Sequence, residues 1–256
     1  MVERFDRRYA AGSAAPRAEA AVVDEGLRAY MLRIYNYMTA GVLLTGITAL
    51  LVFRVPALQE LFYNIVMTPS GPAIAGMTGL GWIVTFAPLV FVMVMSFGIN
   101  RLSSGSAQML FWSFSAVMGL SLSSILFAYT GTSVARTFFV TAAAFGALSL
   151  YGYTTKRDLS AFGKFLFMGL IGILIAMVVN IFVASSMMDF IVSILGVLIF
   201  AGLTAYDTQR LKNLYYTVAG NGEAMAKASI MGALSLYLDF INMFLFLLRF
   251  MGASRN

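Results

Sequence analysis

The sequence contains no cysteine and no histidine, and only 11% of its 256 residues are charged. Without cysteine, the chain has no disulfide bond, no thiol nucleophile and no thiolate metal ligand. Without histidine, it has no imidazole general base and no serine–histidine or cysteine–histidine relay. An average soluble domain is about 25% charged, so this chain has too few ionic groups to cover the surface of a soluble fold of its size.

Apolar residues make up 60% of the chain and fall into long runs. A helix needs about 20 mostly apolar residues to span a lipid bilayer. The runs lack two-residue alternation, which favours helices over a transmembrane barrel. We therefore predict an all-α polytopic membrane protein embedded in the lipid bilayer. Its seven transmembrane helices are expected at residues 34–53, 82–100, 107–128, 137–155, 165–188, 190–206 and 228–248.

Two stretches lie outside these spans. Residues 55–81 are apolar but interrupted by prolines and glycines, which predicts an external loop with an interfacial helix at about 58–66. Residues 1–33 interleave arginines with acidic residues and alanines, and we interpret them as a cytoplasmic tail that leads into an interfacial helix near Asp24. The interleaved acids argue against a nucleic-acid-binding arm, so no nucleic-acid partner is expected. Residues 34–253 then form the seven-helix domain.

The positions of lysine and arginine predict the orientation. Thirteen of the 17 basic residues fall in the tail or in the connections on its side of the membrane. Because cytoplasmic segments are enriched in lysine and arginine, we expect the N-terminus in the cytoplasm. Seven spans then place the C-terminus on the opposite side of the membrane.

Two aspartates stand out in the last two spans. Asp239 interrupts an otherwise uncharged run, and an aspartate at the centre of a membrane helix costs about 2.5–3.5 kcal/mol on insertion scales. Such a group usually faces the bundle interior and is kept for function, although a neighbouring hydroxyl could simply satisfy it. Asp207 ends the sixth span close to Arg210, and taken alone it is equally well explained as a residue among the lipid headgroups.

Together the two aspartates predict a site. Their helices follow one another in the chain and are expected to be neighbours. Two carboxylates in contact do not easily both ionise, so they share a proton and titrate as a pair. Such a pair is a proton switch, a site for a divalent cation such as Ca²⁺, or both. At 1.5 Å per helical residue, they meet only if the sixth span continues past Arg210 or the seventh begins later.

Arg101 is the third candidate residue. It follows the second span on the internal side, where a basic residue usually serves as an anchor at the membrane surface. The alternative is a latch, in which the guanidinium group reaches the aspartate pair and holds a gate shut.

Four segments resemble the Bax inhibitor-1 (transmembrane Bax-inhibitor-motif) family, and the chain looks like a bacterial member. They are residues 24–45, 163–182, 202–212 (GLTAYDTQRLK) and 233–250 (ALSLYLDFINMFLFLLRF), of which the last two are the most specific. The resemblance implies six helices around a central seventh and a pH-dependent Ca²⁺ leak. For a bacterial member, the expected location is the cell inner membrane, with the C-terminus in the periplasm. It places the family's acid pair on Asp207 and Asp239 and its basic latch at or near Arg101. Some members carry an acid within the second span, and this sequence has none there.

Two other functions remain open. Some bacterial members of the family are described as modulators of a membrane protease, so the chain could bind and restrain such a protease or another membrane protein. An intramembrane aspartyl protease also needs two membrane acids, but Asp239 follows Leu236–Tyr237–Leu238 instead of the Gly-x-Gly that this class requires. We therefore expect no enzymatic activity and no bound cofactor, with Ca²⁺ as the ion that is bound or transported.

Overall fold

The structure is a computed structural model that describes the backbone of residues 3–68 and 71–255, and the side chains of residues 24–68 and 73–255. Nine helices and one two-stranded sheet are present in this part of the chain. The helices are α1 (Glu3–Arg54), α2 (Pro56–Phe62), α3 (Gly79–Gly98), α4 (Ser104–Leu122), α5 (Ser124–Ala128), α6 (Gly131–Thr154), α7 (Ser160–Val183), α8 (Ser186–Val218) and α9 (Gly222–Met251). The antiparallel strands are β1 (Tyr63–Thr68) and β2 (Gly71–Met77).

Seven helical segments are long and apolar enough to cross a membrane, which confirms the predicted all-α polytopic class. They comprise residues 24–54 of α1, α4 together with α5, and the whole of α3, α6, α7, α8 and α9. The start of most of them is stabilised by a side-chain oxygen that accepts a hydrogen bond from the backbone N–H three residues on. These capping residues are Thr78, Ser103, Thr130, Ser185 and Asn221.

The predicted boundary between the tail and the first span differs from the structure. The backbone of α1 is helical from Glu3, so the segment expected to be a tail and a separate interfacial helix is continuous with the first span. Its many alanines favour this, because alanine has the highest helix propensity. The division of the chain at residue 33 stays a prediction.

The predicted external loop contains more regular secondary structure than the sequence indicates. Its helix, α2, ends at Phe62, and residues 63–66 are strand instead of helix. The aromatic and β-branched residues of β1 favour an extended backbone. The strand is also tied to the bundle, since the buried Tyr63 hydroxyl lies 2.8 Å from Ser123 Oγ.

The spanning helices differ greatly in how much protein surrounds them. The most apolar window of α9 is 67% buried, whereas those of the other spans are 17–33% buried. α9 packs against α1, α4, α6 and α8, while α3 packs on α4 and α7 packs on α8. The most buried span is therefore the one that carries Asp239. The ring of six helices around it stays a prediction.

The connections between spans lie at two ends of the bundle. At one end, the backbone N–H of Ser104 donates to Glu223, which links the starts of α4 and α9, and that of Leu159 donates to Gln209, which links the turn before α7 to α8. We call this the basic end, because nine lysines and arginines of the described side chains lie there: Arg28, Arg33, Arg101, Lys156, Arg157, Lys164, Arg210, Lys212 and Lys227. At the opposite end, the backbone N–H of Arg255 donates to the Ala128 carbonyl. Among the described residues, the basic residues that the sequence assigns to opposite sides of the membrane thus lie at opposite ends of the bundle.

Two glycines of α6 provide a test of this packing. A Cβ at Gly152 would collide with the backbone of Ala205 on α8, whereas a Cβ at Gly146 would meet nothing within 4 Å. Gly152→Ala is therefore expected to destabilise the fold by about 1–3 kcal/mol, since α6 and α8 cannot separate without losing other contacts. Gly146→Ala, the matched control, should be neutral or slightly stabilising. Thermal unfolding of the purified protein in detergent measures both, and equal unfolding temperatures would contradict the close approach.

Candidate functional site

Asp207 lies well inside the length of α8. The helix continues past Arg210 to Val218, so the condition under which the two aspartates could meet is fulfilled. Its residues around Asp207 are mostly buried, and the Asp207 side chain is only 12% exposed. The sequence suggested an end at about residue 206 because the following turns are polar. Those polar residues extend the helix because they have partners elsewhere in the fold: Gln209 Nε2 donates at 2.7 Å to the carbonyl of Arg157, in the turn between α6 and α7.

Asp239 lies in α9, surrounded by protein. The residue is 5% exposed. Its Oδ2 atom is buried without a hydrogen-bond partner, and the described part of the chain offers its carboxyl group no hydrogen bond at all. A buried polar atom without a partner costs about 1–3 kcal/mol, and more if it is charged. This carboxyl group is therefore the most unfavourable polar feature of the bundle and the best candidate for a functional group.

Arg210 connects the two helices. Its Nη2 atom lies 3.3 Å from Asp207 Oδ1 and 3.2 Å from Oγ of Ser235, one helical turn before Asp239. The charges of Asp207 and Arg210 both act on Asp239. We call these three residues the charged cluster. With both acids ionised it carries one net negative charge, and a single shared proton makes it neutral.

Among the described residues, no hydrogen bond or ion pair joins Arg101 to the cluster. Arg101 lies in the exposed turn between α3 and α4, and among the described side chains it has no ion-pair partner. The counter-charge beside Asp207 is Arg210, whose side chain is 48% exposed at the basic end. The latch role of Arg101 stays a prediction. In the sequence, Arg210 indicates only that Asp207 could lie among the lipid headgroups.

Several polar residues near the cluster were not identified from the sequence. A chain of hydroxyl groups joins three helices: Tyr35 Oη lies 2.5 Å from Ser149 Oγ, which lies 2.9 Å from Oγ1 of Thr208, the residue after Asp207. The Tyr30 hydroxyl is buried without a hydrogen-bond partner, and it interacts electrostatically with Arg210. Hydroxyl groups in apolar helices are too common for their spacing to have indicated this arrangement.

Beyond Asp239, towards the opposite end, lie two cavities. One of 390 Å³ is lined by Asn242 and Arg249, and another of 450 Å³ shares Arg249 and Tyr129 with it. Asn242 follows Asp239 by three residues, about 4.5 Å along the helix axis. Space that could hold water or ions therefore reaches to within one helical turn of the cluster.

The donor set limits the kind of cation that the cluster could hold. Within the described residues there is no group of three or more acidic side chains that could hold a metal ion. Ca²⁺ takes six to eight oxygen ligands. Two carboxylates supply too few for a resident ion, but oxygen is the correct ligand type for an ion in transit that keeps part of its hydration shell.

Comparison with known proteins decides the family. A family profile described as "Inhibitor of apoptosis-promoting Bax1" matches residues 27–256. The chain belongs to the Bax inhibitor-1 family. Relatives in this family include an uncharacterized protein of Caulobacter vibrioides. It is 47% identical to this chain, and the match covers 98% of this chain and 99% of the relative's length. The inner membrane protein YbhL of Escherichia coli is also 47% identical, and the match covers 94% of this chain and 98% of the length of YbhL.

The charged cluster generates a spectroscopic prediction. Because Asp239 is buried in apolar surroundings beside Asp207, we expect the pair to hold one proton near neutral pH. Infrared spectroscopy of the wild-type protein should then show the C=O stretch of a protonated carboxyl group, and Asp239→Asn should remove it. Asp158→Asn is the control and should leave the band unchanged. A wild-type spectrum without the band near neutral pH would contradict the shared proton.

Proposed function

We propose that the protein is a pH-sensitive calcium (cation) leak channel, gated by the protonation of Asp207 and Asp239. The observation that carries this proposal is the buried carboxyl group of Asp239, which has an unpartnered oxygen and lies under the influence of Asp207. A buried acid without partners has no stabilising role in the packing, so its retention inside the bundle favours a function that uses its charge.

The proposed switch follows from the charge of the cluster. With one proton shared, the cluster is neutral and α8 and α9 can pack closely around it. When the proton is lost, the net negative charge is costly in an apolar interior and favours an arrangement that admits water or a cation. Ca²⁺ binds better to this second arrangement because both carboxylates are then free as ligands. This difference in affinity is what allows protons and Ca²⁺ to shift the equilibrium.

The charge distribution supports an orientation. Nine of the described lysines and arginines lie at the basic end, and Arg54, Arg136, Arg249 and Arg255 lie at the other. By the positive-inside tendency, the proposed orientation puts the basic end in the cytoplasm, with the N-terminus cytoplasmic and the C-terminus periplasmic. The relative YbhL is an inner membrane protein. We propose the same membrane for this chain.

The second proposed function is a regulatory protein that binds a membrane protease or another membrane protein. It is favoured by the external hairpin, where Val66 and Met67 are 46% and 80% exposed. An exposed apolar strand edge can pair with a partner chain.

Ion flux into liposomes tests the leak. The wild-type protein should admit Ca²⁺ above the rate of empty liposomes, and the flux should change between mildly acidic and mildly basic pH. Asp239→Asn should flatten that pH dependence, because it removes the group that the proton switches. A calcium-sensitive dye trapped in the liposomes measures the flux.

The matched control is Asp158→Asn. Asp158 lies outside the spans, and hydrogen bonds from the side chain and the backbone of Ser160 hold the pKa of its carboxyl group below the usual range. It therefore stays ionised over the whole range of pH, and its substitution should leave the profile unchanged. The absence of Ca²⁺ flux at every pH would overturn the leak and leave the regulatory function.

Two arginines can be compared directly. Arg210→Gln removes the cation between the basic end and the carboxylates, so it is expected to raise the Ca²⁺ flux about fivefold, since loss of a partly exposed charge pair is worth about 1 kcal/mol. Arg101→Gln tests the latch at an exposed position of the same end. If Arg101→Gln changed the flux and Arg210→Gln did not, Arg101 would be the latch and Arg210 only a surface charge.

A further inference from the structure

A large cavity in the described part of the chain lies outside the charged cluster. It is a groove of 980 Å³ between residues 24–43 of α1 and residues 138–153 of α6. Leu32, Leu43 and Leu150 on its walls are 49–64% exposed, so the groove opens towards the surrounding membrane. Known ligand pockets have volumes of about 300–1,000 Å³ and are mostly apolar with a few convergent polar groups. The size and lining of this groove match that description.

The length and the lining of the groove suit an elongated amphiphilic ligand. Its lining residues on α1 run from Asp24 to Leu43, a length of about 28 Å at 1.5 Å per residue. Below the mouth the lining is almost entirely aliphatic or aromatic. Apart from Asp24 and Arg28, the polar side chains of the lining are Thr39, Tyr35, Ser149 and Tyr153, and the hydroxyls of Tyr35 and Ser149 already bond to each other. The body of the groove therefore suits an acyl chain, which makes no hydrogen bonds of its own.

The mouth carries one charge of each sign. Asp24 and Arg28 both line it and are exposed. Neither has an ion-pair partner among the described residues, although they are four residues apart on the same helix. A zwitterionic headgroup complements this pair, with its phosphate towards Arg28 and its ammonium towards Asp24. An anionic headgroup would satisfy Arg28 but would be repelled by Asp24.

We propose that this groove is a binding site for a phospholipid with a phosphoethanolamine headgroup. One acyl chain lies between α1 and α6, and the headgroup lies against Asp24 and Arg28 at the basic end. The site is independent of the calcium leak. Its inner wall nevertheless contains Phe240 and Ser149, the first of which follows Asp239 in α9 and the second of which contacts Thr208 beside Asp207.

Two glycines offer a matched test of the acyl-chain site. A Cβ at Gly146, in the groove, or at Gly172, on the membrane-facing side of α7, would meet nothing within 4 Å. Gly146→Trp should fill the groove, whereas Gly172→Trp adds the same side chain elsewhere. Native mass spectrometry in detergent with equal amounts of phosphatidylethanolamine and phosphatidylglycerol counts the retained lipids. Gly146→Trp should lose the bound lipid that the wild type and Gly172→Trp retain, and equal retention in all three would overturn the site.

The headgroup assignment has its own test, which uses exposed residues that do not contribute to the core. The wild type should retain phosphatidylethanolamine in preference to phosphatidylglycerol. Asp24→Asn should shift the ratio of the two lipids towards phosphatidylglycerol by about fivefold, because it removes the contact to the ammonium group and the repulsion of an anion. Arg28→Gln should reduce the retention of both lipids. A wild-type preference for phosphatidylglycerol, or an unchanged ratio in Asp24→Asn, would overturn the proposal.

Discussion

A carboxyl group enclosed by apolar helices has to be neutralised, paired or hydrated, and this constraint organises the site around Asp239. The residue lies in α9, the most buried span, and one of its oxygens has no hydrogen-bond partner. The charges that act on it come from the neighbouring helix α8, through Asp207 and Arg210. Under the proposed switch, close packing of these two helices is linked to the protonation of the cluster, because each added charge changes the cost of keeping the bundle closed.

Small residues allow the helices to approach closely enough for this linkage. Gly152 lies against the backbone of α8, Gly196 of α8 lies against the ring of Phe246, and Gly232 of α9 lies against Leu211. In a membrane, where the lipid tails are as apolar as the protein interior, helices associate mainly through such close packing and through interhelical hydrogen bonds. The hydroxyl chain of Tyr35, Ser149 and Thr208 supplies the second kind of contact. The cluster thus has closely packed helices on one side and cavities on the other.

The groove between α1 and α6 is the second proposed site, and it lies on the same helices. It reaches Ser149 from the membrane side, whereas the cavities lined by Asn242 and Arg249 approach the cluster from the opposite end of the bundle. A bound lipid would pack against Phe240, and the ring of Phe240 contacts those of Phe138 and Phe145 on α6. Lipid and ion sites would then both use α9, through Phe240 and Asp239, although neither depends on the other for its chemistry.

The sequence by itself determined the membrane class, the seven spans and the presence of Asp239 inside an apolar helix, because hydrophobic length and isolated charges are local properties. It did not predict the strands in the external loop, whose extended backbone depends on contacts such as that of Tyr63 with Ser123. Only the tertiary structure decided that α8 continues past Arg210, that Arg210 contacts both Asp207 and Ser235, and that a groove separates α1 from α6. The physical reason is that helices apolar on all sides carry no periodic signal of their rotation, so which side chains meet is settled by packing alone.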